Sequence, residues 1–230
     1  MMRTLAPTKA NVMRIALLHT AEVHVASFDR QIERLRPGTA THHIVRSDLL
    51  ARARASGLQA VQEETMAVLD GLGDADAVIC TCSTLGPVAD AAGAQVVRID
   101  RPMMEQAVHH GPNVLVAICL ESTRAPTLAL LQDCAAAAGQ QADPRLVLCS
   151  AAWPAFEAGD TETFGARIAE AIAAQIALNG RPDSIVLGQA SMRVAEDRLA
   201  HHGVPVLASP RWAVQNAIAL AGRQAAGNTL

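Results

Sequence analysis

Eight short apolar runs, each followed by helical text, alternate along the chain, and this alternation constrains its fold most. Val12 to Leu18, His42 to Val45, Ala77 to Cys82 and Gln95 to Ile99 read as strands. The helical text between them includes an amphipathic stretch through Ala26, Phe28, Ile32 and Leu35, stopped by Pro37-Gly38, and a long stretch from Leu49 to Leu72. The pattern then begins again. Asn113 to Ile118, Arg145 to Cys149, Ser184 to Leu187 and Val204 to Leu207 read as strands, separated by helices over Thr123 to Gly139, Thr163 to Asn179 and Met192 to His202. A final helix is predicted over Pro210 to Gln224. Strand alternating with helix argues for parallel sheets in an α/β protein.

No linker rich in Pro, Gly or Ser divides the chain, so the repeat predicts two similar halves of roughly a hundred residues, each able to hold one core. The expected architecture is two pseudo-symmetric α/β domains, each a short, mainly parallel sheet flanked by helices, with a cleft between them. Residues 12–100 with 208–230 are expected to form the first domain, and residues 101–207 the second. Half of the 230 residues are hydrophobic, and with three Phe, two Trp and no Tyr the core must be aliphatic.

A formal charge of −3 argues against a nucleic-acid partner, since phosphate-backbone binding needs a basic surface. Five cysteines without paired spacing read as reduced thiols of a cytoplasmic protein. Arg3, Lys9 and Arg14 interrupt the N-terminal segment, so a signal peptide is not expected. No run approaches the ~18 apolar residues of a membrane helix, and no membrane partner is expected. Neither a GxxxxGK[ST] loop nor a GxGxxG fingerprint is present, which leaves nucleotide binding without support.

The chemistry concentrates at Cys82-Ser83-Thr84-Leu85-Gly86-Pro87. A buried strand ends there and Gly86-Pro87 opens a helix, so a thiol, two hydroxyls and unpaired helix amides share one strand end. Helix N-termini attract anions and lower a thiol pKa, and ligands of open parallel sheets bind at the carboxyl ends of strands. A reactive Cys82 beside a small carboxylate pocket is therefore expected, with an inert buried cysteine as the alternative. The second half carries a counterpart, Ile185-Val186-Leu187-Gly188-Gln189-Ala190-Ser191-Met192. Two such strand ends facing each other across a pseudo-two-fold axis would make one cleft.

These blocks, with Val97-Arg98-Ile99-Asp100-Arg101-Pro102-Met103, resemble the aspartate/glutamate/hydantoin racemase superfamily from about Met13 onward. The resemblance implies cofactor-independent chemistry at the carbon beside a carboxylate or carbonyl, with the site between two domains. In that family two cysteines face the substrate from opposite sides. Cys82 matches the first; the second position holds Gln189. A carboxamide neither gives nor takes a proton near neutral pH, so Gln189 fits hydrogen bonding to a carboxylate or enolate oxygen. Cys82 is then the acid/base and Gln189 its catalytic partner. Ser83, Thr84, Ser122, Thr123 and Ser191 are expected to bind a small carboxylate substrate, with helix capping as the alternative for each hydroxyl.

His19, with Thr20, ends the first strand and is a further candidate ligand residue, although a rim histidine is more often simply solvated. The pairs His42-His43, His109-His110 and His201-His202 lack metal-site spacing, and no metal is expected. Trp153 either lines the pocket or fills a core gap. Arg98, Asp100 and Arg101 read as surface ion pairs, of little worth to stability. Racemisation at an α-carbon is the favoured activity. Decarboxylation of a substituted malonate-like diacid by one cysteine and plain carboxylate binding are the alternatives. Enzymes of this size are often dimers, which leaves a homo-oligomer open, although the sequence itself does not specify one.

Overall fold

The computed structural model describes residues 12–227, with side chains described through residue 224. The expectations resting on Arg3, Lys9 and residues 228–230 fall outside that range.

Two four-stranded sheets form, both wholly parallel. In the first, β1 (Arg14–His19), β2 (Ala40–Val45), β3 (Ala77–Cys80) and β4 (Val96–Arg98) lie in the order β2-β1-β3-β4. In the second, β5 (Asn113–Ile118), β6 (Asp143–Leu148), β7 (Ser184–Leu187) and β8 (Val206–Ala208) lie in the order β6-β5-β7-β8. The strand order is therefore the same in both sheets, and the α/β fold with two like halves is the one the alternation predicts.

Parallel sheets need both faces covered, because their crossovers place helices on each side. Along β1, Ile15 and Leu17 turn to one face, against Phe28 and Ile32 of α1 (His24–Leu35) and Ala213, Val214 and Ala217 of α10 (Ser209–Gly227). Ala16 and Leu18 turn to the other, against Leu49 of α2 (Ser47–Ser56), Leu69 of α3 (Gln62–Asp70) and Val88 of α4 (Gly86–Ala91). The second sheet repeats the scheme. Leu115 and Ala117 pack on Phe164, Ile168 and Ile172 of α8 (Thr161–Asn179), while Val114 and Val116 pack on Met103 and Met104 of α5 (Arg101–His110) and on Leu130 and Leu131 of α6 (Arg124–Ala137). The last helix, α10, lies against α1, β1, β3 and β4 as well as α5.

Several expectations change in detail. The helical text from Leu49 to Leu72 is α2, a 3₁₀ turn over Leu58–Val61, and α3; Gly57 at φ 84° supplies a backbone turn that ends α2. The stretch from Met192 to His202 is mostly 3₁₀, broken only by the four-residue α9 (Glu196–Leu199). Two helices, α5 and the short α7 (Trp153–Glu157), were not anticipated. Both begin with proline in the first turn, where its missing N–H costs nothing.

The ion pairs expected at the surface are a correction. Arg98 and Asp100 are buried, with Arg98 Nε 2.7 Å from Asp100 Oδ1. The guanidinium also donates to Asp90 at 2.7 Å and to the Pro126 carbonyl at 2.9 Å, so it ties β4 to α6 of the other half. Gly86 makes room for it: a Cβ there would stand 2.5 Å from Arg98 Nε. Only the outer Arg101–Asp133 pair, 3.0 Å apart, has the exposure the sequence reading assumed.

Candidate active site between the two sheets

The two sheets bring Cys82 and Gln189 to equivalent places. β3 is in register with β1 up to Leu18↔Cys80, and β7 with β5 up to Ala117↔Leu187. Two residues beyond each last pair stand Cys82 and Gln189, both extended and both nearly buried. After each comes a 3₁₀ turn, closed by Leu85 N–H on the Cys82 carbonyl and by Met192 N–H on the Gln189 carbonyl. The same turn follows β5, where Thr123 N–H bonds the Leu120 carbonyl. The amides of Ser83, Ala190 and Ser191 precede the first bond of their turns and have no backbone partner, whereas the Thr84 amide is turned to the Cys82 thiol.

A cavity of about 40 Å³ lies among these strand ends. It is lined by Cys82, Ser83 and Thr84 on one side and Leu120, Thr123, Gln189 and Ser191 on the other. Thr20, His24, Trp153 and Phe156 complete much of the wall. No Asp, Glu, Lys or Arg is among the lining residues. Among the described residues no cluster of three or more His, Cys, Asp or Glu side chains is arranged to hold a metal ion.

Gln189 has a fixed orientation. Its Oε1 accepts from the amides of Cys119 at 2.5 Å and Leu120 at 3.2 Å. Two N–H donors can be met only by the carbonyl end of a carboxamide, so the donor end, Nε2, is turned away from β5. The hydroxyls are less free than their sequence suggests. Ser83 donates to the Gly188 carbonyl at 3.0 Å, a bond from one half to the other. Thr84 and Ser122 share a 3.3 Å contact, and the Thr123 hydroxyl donates back to the Leu120 carbonyl at 2.6 Å. Ser122 lines not this cavity but a shallower groove beside Thr84, Pro87 and Ala125.

Burial pushes the Cys82 thiol pKa up, although the Thr20 hydroxyl, the Leu85 and Thr84 amides and the Thr84 hydroxyl all pull the other way. This corrects the expectation of a helix-lowered thiol. The turn after Cys82 is three residues long and α4 only six, too short for a substantial macrodipole to outweigh desolvation. Cys80, fully buried at the end of β3, is pushed up to about 12 by burial first and by its neighbour Cys82 second.

His19 stands behind the cavity, fully buried, and is not among its lining residues. Its Nδ1 is 2.9 Å from Thr81 Oγ1 and its Nε2 2.8 Å from His43 Nδ1; His43 Nε2 in turn lies 2.9 Å from Asp29. Burial, then the neighbouring His43 and His24, lower the His19 pKa to about 3 despite the pull of Asp29.

The imidazole on the cavity wall is instead His24, which the sequence reading missed. It opens α1, and its ring meets Phe28 edge-on at 6.4 Å and stacks with Phe156 of the other half at 6.4 Å. Burial alone lowers its pKa to about 4. The sequence signal for it was weak but present: His24 is four residues before Phe28 on the apolar stripe of α1, at the end nearest the strand-end rim. Leu50, Leu120 and Phe156 carried no such signal, since a lone apolar residue reads as core.

No family model matches the chain, and no curated protein matches its sequence. Its fold does match solved structures. An aspartate racemase of Picrophilus torridus superposes with a TM-score of 0.69 at 14% identity, covering 92% of this chain and 95% of that one. An allantoin racemase of Pseudomonas fluorescens gives 0.63 at 21% identity, with 90% of each chain covered. A glutamate racemase of Thermus thermophilus gives 0.63 at 14% identity, covering 93% of this chain and 82% of that one. These matches identify the fold.

Proposed function

We propose that this protein is an isomerase of the racemase type, acting without a cofactor at the carbon beside the carboxylate of a small substrate. The observation that carries this reading is the meeting of Cys82 and Gln189, from equivalent strand ends, on one cavity. The shared fold of aspartate, allantoin and glutamate racemases supports it.

In this reading Cys82 exchanges a proton with the α-carbon. Substrate oxygens are met by the amides that begin the 3₁₀ turns, by Gln189 Nε2, and by Ser191. Donors fixed before the reaction favour the charge that develops on an enolate oxygen. Ser83, Thr84, Ser122 and Thr123 act mainly by holding the turns and halves in place, and His19 buttresses the wall through Thr81. The lack of a charged lining residue bears on the substrate. An α-ammonium would have no carboxylate to pair with and would cost several kcal/mol to desolvate. The site therefore suits a substrate that is uncharged at that position more than a zwitterionic amino acid.

A second reading rests on Gln189. With one thiol in the cavity, a single protonation is directly available, which is all that decarboxylation of a substituted malonate-like diacid requires. Proton NMR in deuterated water separates the two. Hydantoins, amino acids and substituted malonates are incubated with the protein and with Cys82→Ser. Cys82-dependent α-deuteration with appearance of both enantiomers is the expected result. Loss of carbon dioxide with deuterium on one face would replace isomerisation by the lyase. Formation of the opposite enantiomer, or of decarboxylated product, at an undiminished rate in Cys82→Ser would overturn both.

A further inference from the structure

We infer that His24 is the second proton-transfer residue of the cavity, working with Cys82 as a thiol–imidazole pair. This deepens the isomerase reading and rests on it. Reversible inversion needs two groups that can each hold a proton, and Gln189 is not one. Among the lining residues the titratable side chains are Cys82 and His24 alone. Both line the same cavity of about 40 Å³.

His24 is built for the part. Its ring is held by aromatic packing against Phe28 and Phe156. Burial is what holds its titration down, and its ring nitrogens make no side-chain hydrogen bond to the protein. His19, 6.3 Å away between ring centres, is already engaged with Thr81 and His43. Asp29 lies beyond His43. A ring fixed by its faces, with its nitrogens uncommitted, is available to substrate.

The resting protonation states are also complementary. Burial favours the neutral form of each group, so the pair rests as S–H and imidazole, one donor and one acceptor, with no thiolate required beforehand. The His24 nitrogen takes the α-proton, and the C–H electron pair moves into the carboxylate as an ene-diolate. Cys82 S–H then gives its proton to the other face of the same carbon. One proton has left the carbon and one has arrived, and the enzyme holds thiolate and imidazolium. That form accepts the opposite enantiomer and returns to the start.

The pairing has a consequence that needs no substrate. Thiolate–imidazolium is an isomer of thiol–imidazole, so its fraction does not change with pH while the pair holds one proton in total. The test is the rate of Cys82 alkylation by iodoacetamide from pH 5 to 8, located by mass spectrometry. The expected rate in the wild-type protein is nearly flat over this range. In His24→Gln it should fall about tenfold per unit of acidification, as for an isolated thiol. A wild-type rate that itself falls tenfold per unit overturns the pairing, whatever the variant's folding. Failure of the isomerase reading shows separately, as a flat alkylation profile in a protein that exchanges no α-proton.

Discussion

His19, fully buried, and His24, half-buried, are held as neutral imidazoles, and this ties stability to acidity. An unfolded histidine binds a proton below about pH 6.5. In the fold these two resist protonation until about 3 and about 4. Between those limits the unfolded chain holds more protons, so stability rises with pH. Their contribution is whole above about 6.5 and is lost as the solution is acidified below it. The urea midpoint is expected to fall steadily from pH 7 to 4.5, and less steeply in His24→Gln. An unchanged midpoint through that window would contradict the burial assigned to them. Cys82 and Gln189 were legible in the sequence because a strand-end position follows from periodicity alone. His24 was not, because its place on the wall depends on how α1 packs against the Phe156 turn of the other half. The Arg98–Asp100 pair was misread for a related reason: charge suggests surface, but α4 and α6 cover it.

Short 3₁₀ segments follow β3, β5 and β7, and their precision depends on close backbone approach. Gly188 is the clearest case. A Cβ there would lie 2.9 Å from both the Ala117 carbonyl oxygen and Ile118 Cγ2, and the first of these is backbone that cannot rotate away. Gly188→Ala is expected to cost about 1–3 kcal/mol by overpacking, read from chemical denaturation. Gly222 on α10 has nothing within 4 Å and supplies the control. Gly222→Ala should leave stability unchanged or raise it by about 0.4–1 kcal/mol. Equal losses at both would show that contact at Gly188 is not the cause. At this scale the sequence marked β5 and β7 to the residue, since apolar runs bounded by turn residues leave little choice. It overran the helices at Leu49–Leu72 and Met192–His202, where helical composition conceals Gly57 and a series of 3₁₀ turns.

The whole molecule is held by bonds from one sheet's surroundings to the other's: Ser83 to Gly188, Arg98 to Pro126 and Arg101 to Asp133. The cavity between them, of about 40 Å³, is far smaller than the ~300–1,000 Å³ usual for ligand sites. α10 is a further constraint. It supplies Ala213, Val214, Ala217 and Ala221 to one face of the first sheet, opposite Ile15, Leu17 and Ile79. A chain ending at Ala208 is expected to lose cooperative unfolding of that sheet and to bind a hydrophobic dye, while amides of β5 and β7 keep their protection from hydrogen exchange. Full cooperativity without α10 would show that this face needs no cover.

That arrangement also sets an order of events during synthesis. The first sheet is complete in sequence at Arg98, yet the helix that seals it begins at Ser209. At ~5–20 residues per second the ribosome needs roughly 5–20 s to span that interval. Within it the whole second sheet and its helices emerge and can fold, while the older half waits with an apolar face open to water. The part of the protein made first is thus the last to be finished, and it is the part that carries Cys82.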